Sequence, residues 1–381
     1  MPGRDILYYP TILVPSKWQK RTILYWDKIS SIVPEKWDDE LGSNPSFGNQ
    51  QVDQSYRDMK YLESQGEFEA IRPENKPVPI DGEFKQIINS LNLNDKIYEN
   101  WKIFSNYMYK DIYEIKENFN RNWIEPFSFV HKDKMTTHLY DFLFEKNLVL
   151  NEDTDENWYL MEKITALLYM ALLAKYLAEF ETEFNDKFVI TGTNSEEYQS
   201  MVFKRDINQQ GFNSYETRLL NILPVPRADT PMEKIYKFKH EKETELFLFR
   251  EVIDEASKQI SQAPNQREMK RILIQENERM IVGIKKLKKA MRDSYIKATL
   301  TSIKSLINIK DPNILATLGI VVGTAAHIPV LAAVGALEVG ITWIDARNEL
   351  RANALNSPYS YLYYAKNENI LDLSHLNPRL I

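Results

Sequence analysis

Two histidines are the first residues in this chain whose type and spacing suggest metal binding. His131 and His138 lie seven residues apart in the segment HKDKMTTH. On one continuous helix this spacing is two turns, about 10 Å along the axis, whereas helical metal sites favour histidines a single turn apart. The pattern is more typical of solvated or packing histidines. We therefore expect no metal site and no bound cofactor.

Two other motifs have a structural explanation that we prefer to a chemical one. The acidic run 152–156 precedes Trp158 and lacks both the alternating oxygen ligands and the glycine of a calcium-binding loop. We interpret it as a helix start, where acidic side chains are favourable. The segment TGTN at 191–194 is predicted to be a turn, because one glycine is too few for a phosphate-binding loop.

Established catalytic signatures are missing from the chain. It contains no P-loop, no dinucleotide-binding fingerprint, no HExxH motif and no nucleophile elbow. An unrecognised pair of catalytic carboxylates stays open, because 54 acidic residues offer too many choices. The sequence thus leaves a carboxylate or histidine enzyme as one alternative, with catalytic residues unknown.

A basic segment between residues 285 and 310 is a candidate contact for an anion. It begins with Lys285, Lys286, Lys288, Lys289 and Arg292. We interpret it as the solvated face of a helix, and the alternative is a contact with nucleic acid or lipid headgroups. The net charge of the whole chain is −6, and a single tyrosine interleaves these lysines. Single-strand binders usually present stacking aromatics, so we do not expect nucleic-acid binding.

An apolar segment follows, from Ile314 to Leu337, without any Lys, Arg, Asp or Glu. Proline disfavours a continuous helix, so we expect two helices that turn at Pro329 and are buried in the fold. Small residues would permit their close approach: Gly319, Gly323 and Gly335. The alternative is a membrane-active hairpin, spanning 314–344, that is sheltered until a trigger releases it. Each half is too short to cross a bilayer alone.

Composition limits the chemistry and the compartment. The chain of 381 residues is 43% hydrophobic and 12% aromatic, which favours folded structure with two or three structural units. It has no cysteine, so disulfides, thiolate metal sites and cysteine nucleophiles are excluded. The first residues lack the basic and apolar regions of a signal peptide, and we expect a cytoplasmic location.

These features must be positioned by an α+β, mainly helical fold. We expect a small α/β unit with helices at 1–125 and a central helical unit with short strands at 126–228. A long antiparallel helical hairpin should occupy 229–310, and an apolar C-terminal helical element 311–381. The hairpin is predicted from a capping box at Thr230–Glu233, a break at Ala263–Pro264 and apolar seams on both sides of that break.

The local patterns assign individual elements within these units. We predict strands at Ile6–Val14, Phe68–Ile71 and Leu219–Val225 from their β-branched and apolar runs. Pro10 suggests that the first strand lies at a sheet edge or contains a bulge. Helices are predicted from Ser16 to Ile32, from Asp53 to Gly66, and over Trp158–Phe184, with one or two more within 84–122.

Five segments of the chain resemble an uncharacterised bacterial family, a domain of unknown function. They are LYYPTILV and LYWDKISSIVP near the start, YMALLAKYLA in the middle, ILPVPRADTPMEKIYKFKHEKETELFLFR at the hairpin and SPYSYL near the end. The resemblance supplies no activity and no residue roles. Families of this kind often sit among bacterial defence genes, so the resemblance implies an association with antiviral defence by genomic analogy.

The functional expectation from the sequence is a non-enzymatic interaction protein, a sensor or effector in bacterial antiviral defence. It rests on the missing catalytic motifs, the aromatic inventory and the resemblance. We expect a protein partner of unknown identity, no nucleic acid, a membrane only after a trigger, and a chain that could also pair with a second copy. The two alternatives are the membrane-active hairpin and the unrecognised enzyme.

Burial of the segment 314–337 can be tested with charged substitutions. Ala325→Arg or Ala333→Arg should unfold the C-terminal element, because each overpacks a core and buries a charge. Chemical denaturation should show a large loss of stability. Liposome leakage that depends on a partner, and that a folded Gly323→Glu variant loses, would contradict permanent burial and support the membrane alternative.

Overall fold

The computed structural model describes about half of the chain. The described residues are 4–35, 37, 48–76, 79–90, 127–149, 157–185, 187–194, 223–264, short stretches between 267 and 282, and 357–371. They form two compact units: unit 1 comprises 1–16 and 26–202, and unit 2 comprises 17–25 and 203–381. The fold is α+β and mainly helical, with a small parallel sheet. Our four-part division of the chain stays a prediction.

A four-stranded parallel sheet organises unit 1. Its strands are β1 (Arg4–Tyr8), β2 (Lys28–Ile32), β3 (Phe68–Ile71) and β6 (Phe188–Gly192), in the spatial order β3-β2-β1-β6. Strand β1 pairs with β2 on one side and with β6 on the other, which places Ile6 opposite Ile29 and Ile190. All three of these side chains are buried, as parallel strands require.

The first strand is shorter than its apolar run. It ends at Tyr8, and Pro10 follows a cis peptide bond beyond the strand end. Because β1 lies between two partners, the prediction of an edge strand or a bulge was wrong. The prediction of a strand at Phe68–Ile71 is confirmed residue for residue. Gly66 has φ +75°, the left-handed conformation that ends the preceding helix.

The helix predicted from Ser16 to Ile32 is instead a helix followed by a strand. Helix α1 covers Ser16–Tyr25, and Ile29 and Ile32 belong to β2. Their spacing of three residues fits one helical face, but β2 is buried on both faces, including Ser30 and Ser31. The Ser31 hydroxyl donates to the carbonyl of Ile12 at 2.7 Å, which satisfies a polar group inside the sheet.

Helix α2 (Gln50–Ser64) begins three residues before the predicted start. Asn49 is its N-cap, and its side-chain oxygen accepts from the backbone N–H groups of Gln51 and Val52. Helix α3 covers Ile80–Ser90, so it begins four residues before the region 84–122 where we predicted one or two helices and overlaps only its start. A short 3-10 turn, Pro73–Asn75, links β3 towards α3.

A two-stranded antiparallel sheet precedes the longest described helix. Strand β4 (Phe127–His131) pairs with β5 (Trp158–Glu162), and helix α5 covers Lys163–Phe184. We predicted a helix over all of Trp158–Phe184, and this was wrong for the first five residues, which form strand β5. The Glu162 carboxylate explains the boundary: it accepts from the N–H and the hydroxyl of Thr165, both at 2.7 Å, and so caps α5.

The core of unit 1 forms where α3, α5 and the two sheets meet. A second 3-10 turn (Lys132–Lys134) and helix α4 (Thr137–Glu145) follow β4 and complete this layer. Phe84 of α3 lies edge-on to Tyr169 of α5, with ring centroids 5.3 Å apart. The cluster includes the fully buried residues Leu7, Leu139, Leu143, Leu148, Met161 and Ala174.

Unit 2 is built around an aromatic cluster. Helices α6 (Met232–Glu241) and α7 (Glu243–Ser261) are separated only by Lys242, and α8 covers Ser360–Asn367. Tyr361 packs against Tyr25, Phe238 and Phe249 at centroid distances of 6.2, 5.2 and 6.4 Å, and its hydroxyl donates to the carbonyl of Leu24 at 2.6 Å. Buried tyrosines usually place their hydroxyl in this way.

The backbone of segment 223–230 in unit 2 connects residues from distant parts of the sequence. Tyr25 donates to the Pro224 carbonyl and Lys20 to the Ala228 carbonyl, while Arg227 N–H donates to the Ile370 carbonyl. Within this segment, Pro226 forms an isolated β-bridge with Leu371. Leu223–Val225, the described part of the strand predicted at Leu219–Val225, is not a strand. The predicted capping box is also absent, because the Thr230 hydroxyl donates to the Ile370 carbonyl and α6 has no side-chain cap.

Several predictions fall on segments that lie partly or wholly outside the described residues. The described residues between 267 and 282 are helical, and the antiparallel arrangement of the long hairpin stays a prediction. The basic segment 285–310 and the apolar segment 314–344 lie outside the described residues, as does the acidic run 152–156.

A buried carboxylate links three elements of unit 1. Glu181 of α5 has a side chain 1% exposed and lies 3.2 Å from the Lys187 ammonium, which also contacts Glu69 of β3 at 2.7 Å. Lys76 and Asn185 also donate to Glu181. Burial alone would raise the pKa of Glu181, but these hydrogen bonds outweigh burial and lower it.

Removing this carboxylate should destabilise unit 1. We expect Glu181→Gln to lower the free energy of unfolding by about 3 kcal/mol, because it leaves two ammonium groups without their buried partner. Glu179→Gln is the matched control: Glu179 is 52% exposed and lies 4.0 Å from Lys175, so its loss should cost under about 0.5 kcal/mol.

The same pair of variants gives a pH test. A lowered folded-state pKa contributes stability above the ordinary carboxyl pKa, and this contribution is lost as pH falls through the folded value. Urea denaturation at pH 7 and in acid should therefore show the Glu181 contribution shrinking with acidity. Equal stability of the two variants at pH 7 would contradict the assigned role.

Candidate functional site

The carboxyl ends of parallel strands are where open α/β sheets bind ligands. The favoured place is the point where successive connections leave to opposite sides of the sheet. Here the chain passes from β1 to β2 on one side, while β6 pairs with β1 on the other. The residues that follow β1 and β6 therefore line the expected crevice of unit 1.

Hydroxyl and amide groups occupy this position. The Tyr8 hydroxyl donates to Asn194 Oδ1 at 2.8 Å, and the Thr11 hydroxyl lies 3.4 Å from the Tyr8 oxygen. Burial raises the pKa of Tyr8 to about 12, against a smaller lowering by Thr11, so its hydroxyl stays neutral. The TGTN segment, predicted to be a simple turn, thus ends β6 and contributes to this edge.

The adjacent helix start is closed to phosphate. The N–H of Ser16, the first residue of α1, donates to the Ser55 hydroxyl at 2.9 Å, and the Ser16 hydroxyl donates to the Asp58 carboxylate. A helix N-terminus binds anions through unpaired N–H groups and its positive dipole end. A capping hydroxyl and a carboxylate at this N-terminus disfavour an anion. The N-terminus of α1 is therefore not arranged to bind a phosphate.

Ionisable side chains gather further along the same edge, just beyond β3. Glu74 lies three residues after the end of β3, in the 3-10 turn Pro73–Asn75. This turn packs against the second 3-10 turn, which contains Asp133 and Lys134 and directly follows His131. We call Glu74, His131, Asp133 and Lys134 the edge cluster.

The backbone of the edge cluster is fixed by neighbouring elements. Tyr169 of α5 donates its hydroxyl to the Lys134 carbonyl, and Thr136 donates to Asp81 of α3 at 2.5 Å while it caps α4. On the other side, the Arg72 guanidinium donates to the carbonyls of Pro34 and Glu35 beyond β2. Both turns are therefore held from at least two directions.

His131 is oriented by the backbone that follows it. The N–H of Asp133 donates to His131 Nδ1 at 3.2 Å, which places the ring proton of the neutral imidazole on Nε2. The ring is 1% exposed and lies edge-on to Trp158 at 5.0 Å. Asp133 Oδ2 is 3.8 Å from Nδ1 and, among the described residues, has no hydrogen-bond partner.

Lys134 is the most unusual residue of the edge cluster. It is 6% exposed, and no hydrogen bond or ion pair joins its ammonium to another described residue. Burial lowers the pKa of Lys134 to about 7, and the attraction of Glu74 only partly offsets this effect. Burial and repulsion from Asp133 in turn raise the pKa of Glu74. Near neutral pH the Lys134 amine can therefore exchange protons, and the neighbouring turn carries a carboxyl whose pKa is raised.

The structure brings together only part of what the sequence indicated. His131 joins the edge cluster, whereas His138 is exposed on α4, so the two histidines do not share one helix. No three His, Asp or Glu side chains of the described ranges are grouped as metal ligands. The candidate basic residues Lys285–Arg292 and the candidate hairpin residues Gly319, Gly323, Pro329 and Gly335 lie outside the description.

Sequence reasoning missed Lys134 and Glu74. Each is one of many charged residues in a chain with 48 basic and 54 acidic side chains. Burial of a lysine is a tertiary property, and no periodic pattern marks it. The only local signal was HKDK, where alternating charges directly follow an apolar strand.

Helix length also bears on the membrane alternative. Within the part of the chain that the structure describes, every helix falls short of the length and apolarity that a membrane crossing needs. The apolar segment 314–337 lies outside that part.

Comparison with known proteins gives one match. A family model described as a family of unknown function (DUF6236) matches residues 205–369. This range contains the ILPVPRADTP and SPYSYL segments of the resemblance, and it does not contain the edge cluster. Neither the curated proteins nor the solved structures gave a match.

The strain of the buried lysine predicts a stabilised variant. We expect Lys134→Met to raise the free energy of unfolding by on the order of 2 kcal/mol at pH 7, because an apolar chain of similar length removes a desolvated charge. A lowered folded-state pKa costs most below pH 7, and the cost falls as pH rises towards 10.5.

The control is Lys132→Met, two residues away on the same turn. Lys132 is half-buried, with its ammonium 5.5 Å from the Tyr159 ring centroid, and its loss should change stability by under about 0.5 kcal/mol. Chemical denaturation between pH 6 and pH 10 should show a gain for Lys134→Met that shrinks with pH. A destabilised Lys134→Met at pH 6 would contradict the uncompensated charge.

Proposed function

We propose that unit 1 carries an enzyme-type site, the edge cluster, which exchanges protons with a small-molecule substrate. The observation that supports it is the buried Lys134 amine, without a described ion-pair partner, beside Glu74 and Asp133 beyond the carboxyl end of β3. This proposal develops the enzyme alternative of the sequence, in which a carboxylate or histidine site had no recognisable motif.

Burial of the Lys134 ammonium has a cost in folding free energy. Burying an ammonium without a close partner is unfavourable by several kcal/mol, and lysine is rarely buried for packing alone. Strain of this kind accumulates at sites where reactivity requires it. An amine with a pKa of about 7 is half protonated at neutral pH, so it can both accept and donate a proton.

Each member of the cluster can have a distinct role. Lys134 accepts or donates the proton, and Glu74, which is exposed, stands on the solvent side where substrate would arrive. Asp133 has an unpartnered buried oxygen among the described residues, which offers an acceptor for a substrate hydroxyl or amide. His131 holds the Asp133 backbone through Nδ1 and serves as a positioning residue.

The earlier expectation of a non-enzymatic sensor or effector remains a separate proposal. One of its supports was the aromatic inventory, and many of these residues are core: Trp26, Tyr8, Tyr9, Tyr25, Tyr169, Tyr361, Phe84, Phe238 and Phe249 are among the largest fully buried side chains. The link to antiviral defence rests on the resemblance alone. The protein partner, the second copy, the conditional membrane role and the cytoplasmic location stay predictions.

Turnover of an unknown metabolite tests the enzyme proposal directly. The purified protein is incubated with a protein-free small-molecule extract of bacterial cells, and metabolites are followed by mass spectrometry over time. We expect at least one metabolite to be consumed in proportion to protein concentration. Lys134→Met and Glu74→Gln should slow this consumption by about 100-fold or more, the usual contribution of an acid–base group.

The control is again Lys132→Met, which should consume the same metabolite at the wild-type rate. An unchanged extract with the wild-type protein, or equal consumption by Lys134→Met, would contradict the proposal. In that case, affinity capture from infected and uninfected cells with wild type and Lys134→Met would test the interaction role. Capture of one partner by both proteins would support it.

A further inference from the structure

The chemical class of the substrate follows from the neighbours of the buried amine, and this step rests on the proposed function. A neutral amine in a dry site is a nucleophile as well as a base. An amine that only moves protons needs one acceptor or donor group on the substrate. An amine that also has a carboxylic acid close by has the two groups that imine formation needs.

We infer that unit 1 binds a small aldehyde or ketone, which Lys134 holds as an imine while Glu74 supplies the proton for loss of water. The Lys134 nitrogen attacks the carbonyl carbon, and a C–N bond forms as the C–O π bond opens. Proton transfer from nitrogen to oxygen gives a neutral carbinolamine. The hydroxyl then takes a proton from the Glu74 carboxyl and leaves as water, while the nitrogen lone pair forms the C=N bond.

The balance of the step needs no further reagent. One amine and one carbonyl compound give one imine and one water, and the second nitrogen proton returns to the Glu74 carboxylate. Glu74 thus begins and ends as the acid. Burial and the Asp133 charge raise the pKa of Glu74, which favours this role as an acid.

The charged and titratable groups around Lys134 fit this assignment. Glu74 comes from the turn after β3, and Asp133 and His131 come from its own segment. Asp81 of α3 and Tyr169 of α5 lie on the elements that pack behind it, and Asp81 is hydrogen-bonded to Thr136. Arg72, the guanidinium nearest to Glu74 along the chain, donates to two backbone carbonyls.

Reductive trapping with a small aldehyde tests the inference. The intact protein is treated with propanal and cyanoborohydride at pH 7, and modified lysines are quantified by peptide mass spectrometry. We expect propyl-Lys134 to form at least about tenfold faster than propyl-Lys132, because an ordinary lysine is almost fully protonated at this pH. Glu74→Gln should slow trapping at Lys134 by about tenfold and leave Lys132 unchanged, because it removes the acid that expels water.

Acylation with acetic anhydride is the parallel measurement, because it needs a free amine and no proton for departing water. Rapid acylation of Lys134 in both wild type and Glu74→Gln, together with selective trapping in the wild type, supports the imine. Rapid acylation with no preference in trapping overturns the imine and leaves acid–base chemistry at Lys134 intact. Slow acylation and slow trapping at Lys134 overturn both proposals. Lys134→Met identifies the peptide signal and shows that the other lysines react as before.

Discussion

The hydrogen bonding of β1 on both sides is the constraint on which unit 1 depends. Strand β1 lies within the first ten residues, and one of its partners, β6, begins at Phe188. A central parallel strand needs every N–H and C=O group paired, and β1 obtains half of these bonds from a strand about 180 residues later. The intervening helices and the small antiparallel sheet must therefore fit between two fixed ends. The turns that carry the edge cluster belong to these intervening elements.

The edge cluster illustrates how the scaffold holds an unfavourable charge. Tyr169 binds the carbonyl of Lys134 and Thr136 anchors the following helix to α3, so the turn cannot easily rotate its lysine into water. Glu181 shows the opposite solution elsewhere in the same helix, where a buried carboxylate is surrounded by donors from Lys76, Asn185 and Lys187. Among the described residues, Glu181 has several hydrogen-bond donors and the Lys134 ammonium has no hydrogen-bond or ion-pair partner. Our proposal assigns a structural role to the first and a reactive role to the second.

The sequence predicted those features that are encoded locally. Phe68–Ile71 is a short strand with three apolar residues, and it follows Gly66, a residue type that commonly ends a helix, so the strand could be predicted from local sequence. Ile29 and Ile32 were assigned to a helix, because a spacing of three apolar residues is the same in a helix face and in a strand buried on both faces. Trp158–Glu162 was likewise merged with α5, since only its pairing with β4 reveals it as a strand.

The candidate site was less accessible to such reasoning than the fold. The turn that carries Lys134 packs against the turn after β3 and is bound by Tyr169 of α5, both distant in sequence. The position of TGTN at the sheet edge followed only once β6 was placed beside β1. Among the four members of the edge cluster, the sequence analysis considered His131 alone, and it interpreted that histidine as solvated or packing rather than as a metal ligand. Spacing along a chain does not show which charged residue becomes buried in the fold.

The division of the chain has a consequence for its synthesis. Residues 17–25 belong with the C-terminal half, although they stand between two strands of the N-terminal unit. As the chain leaves the ribosome, this helix emerges early, and the aromatic partners of its Tyr25, Phe249 and Tyr361, emerge more than 200 residues later. The helix therefore waits for most of synthesis before its partners in unit 2 are available. Each unit is built from two separate stretches of the chain, so no single cut of the polypeptide yields both units whole.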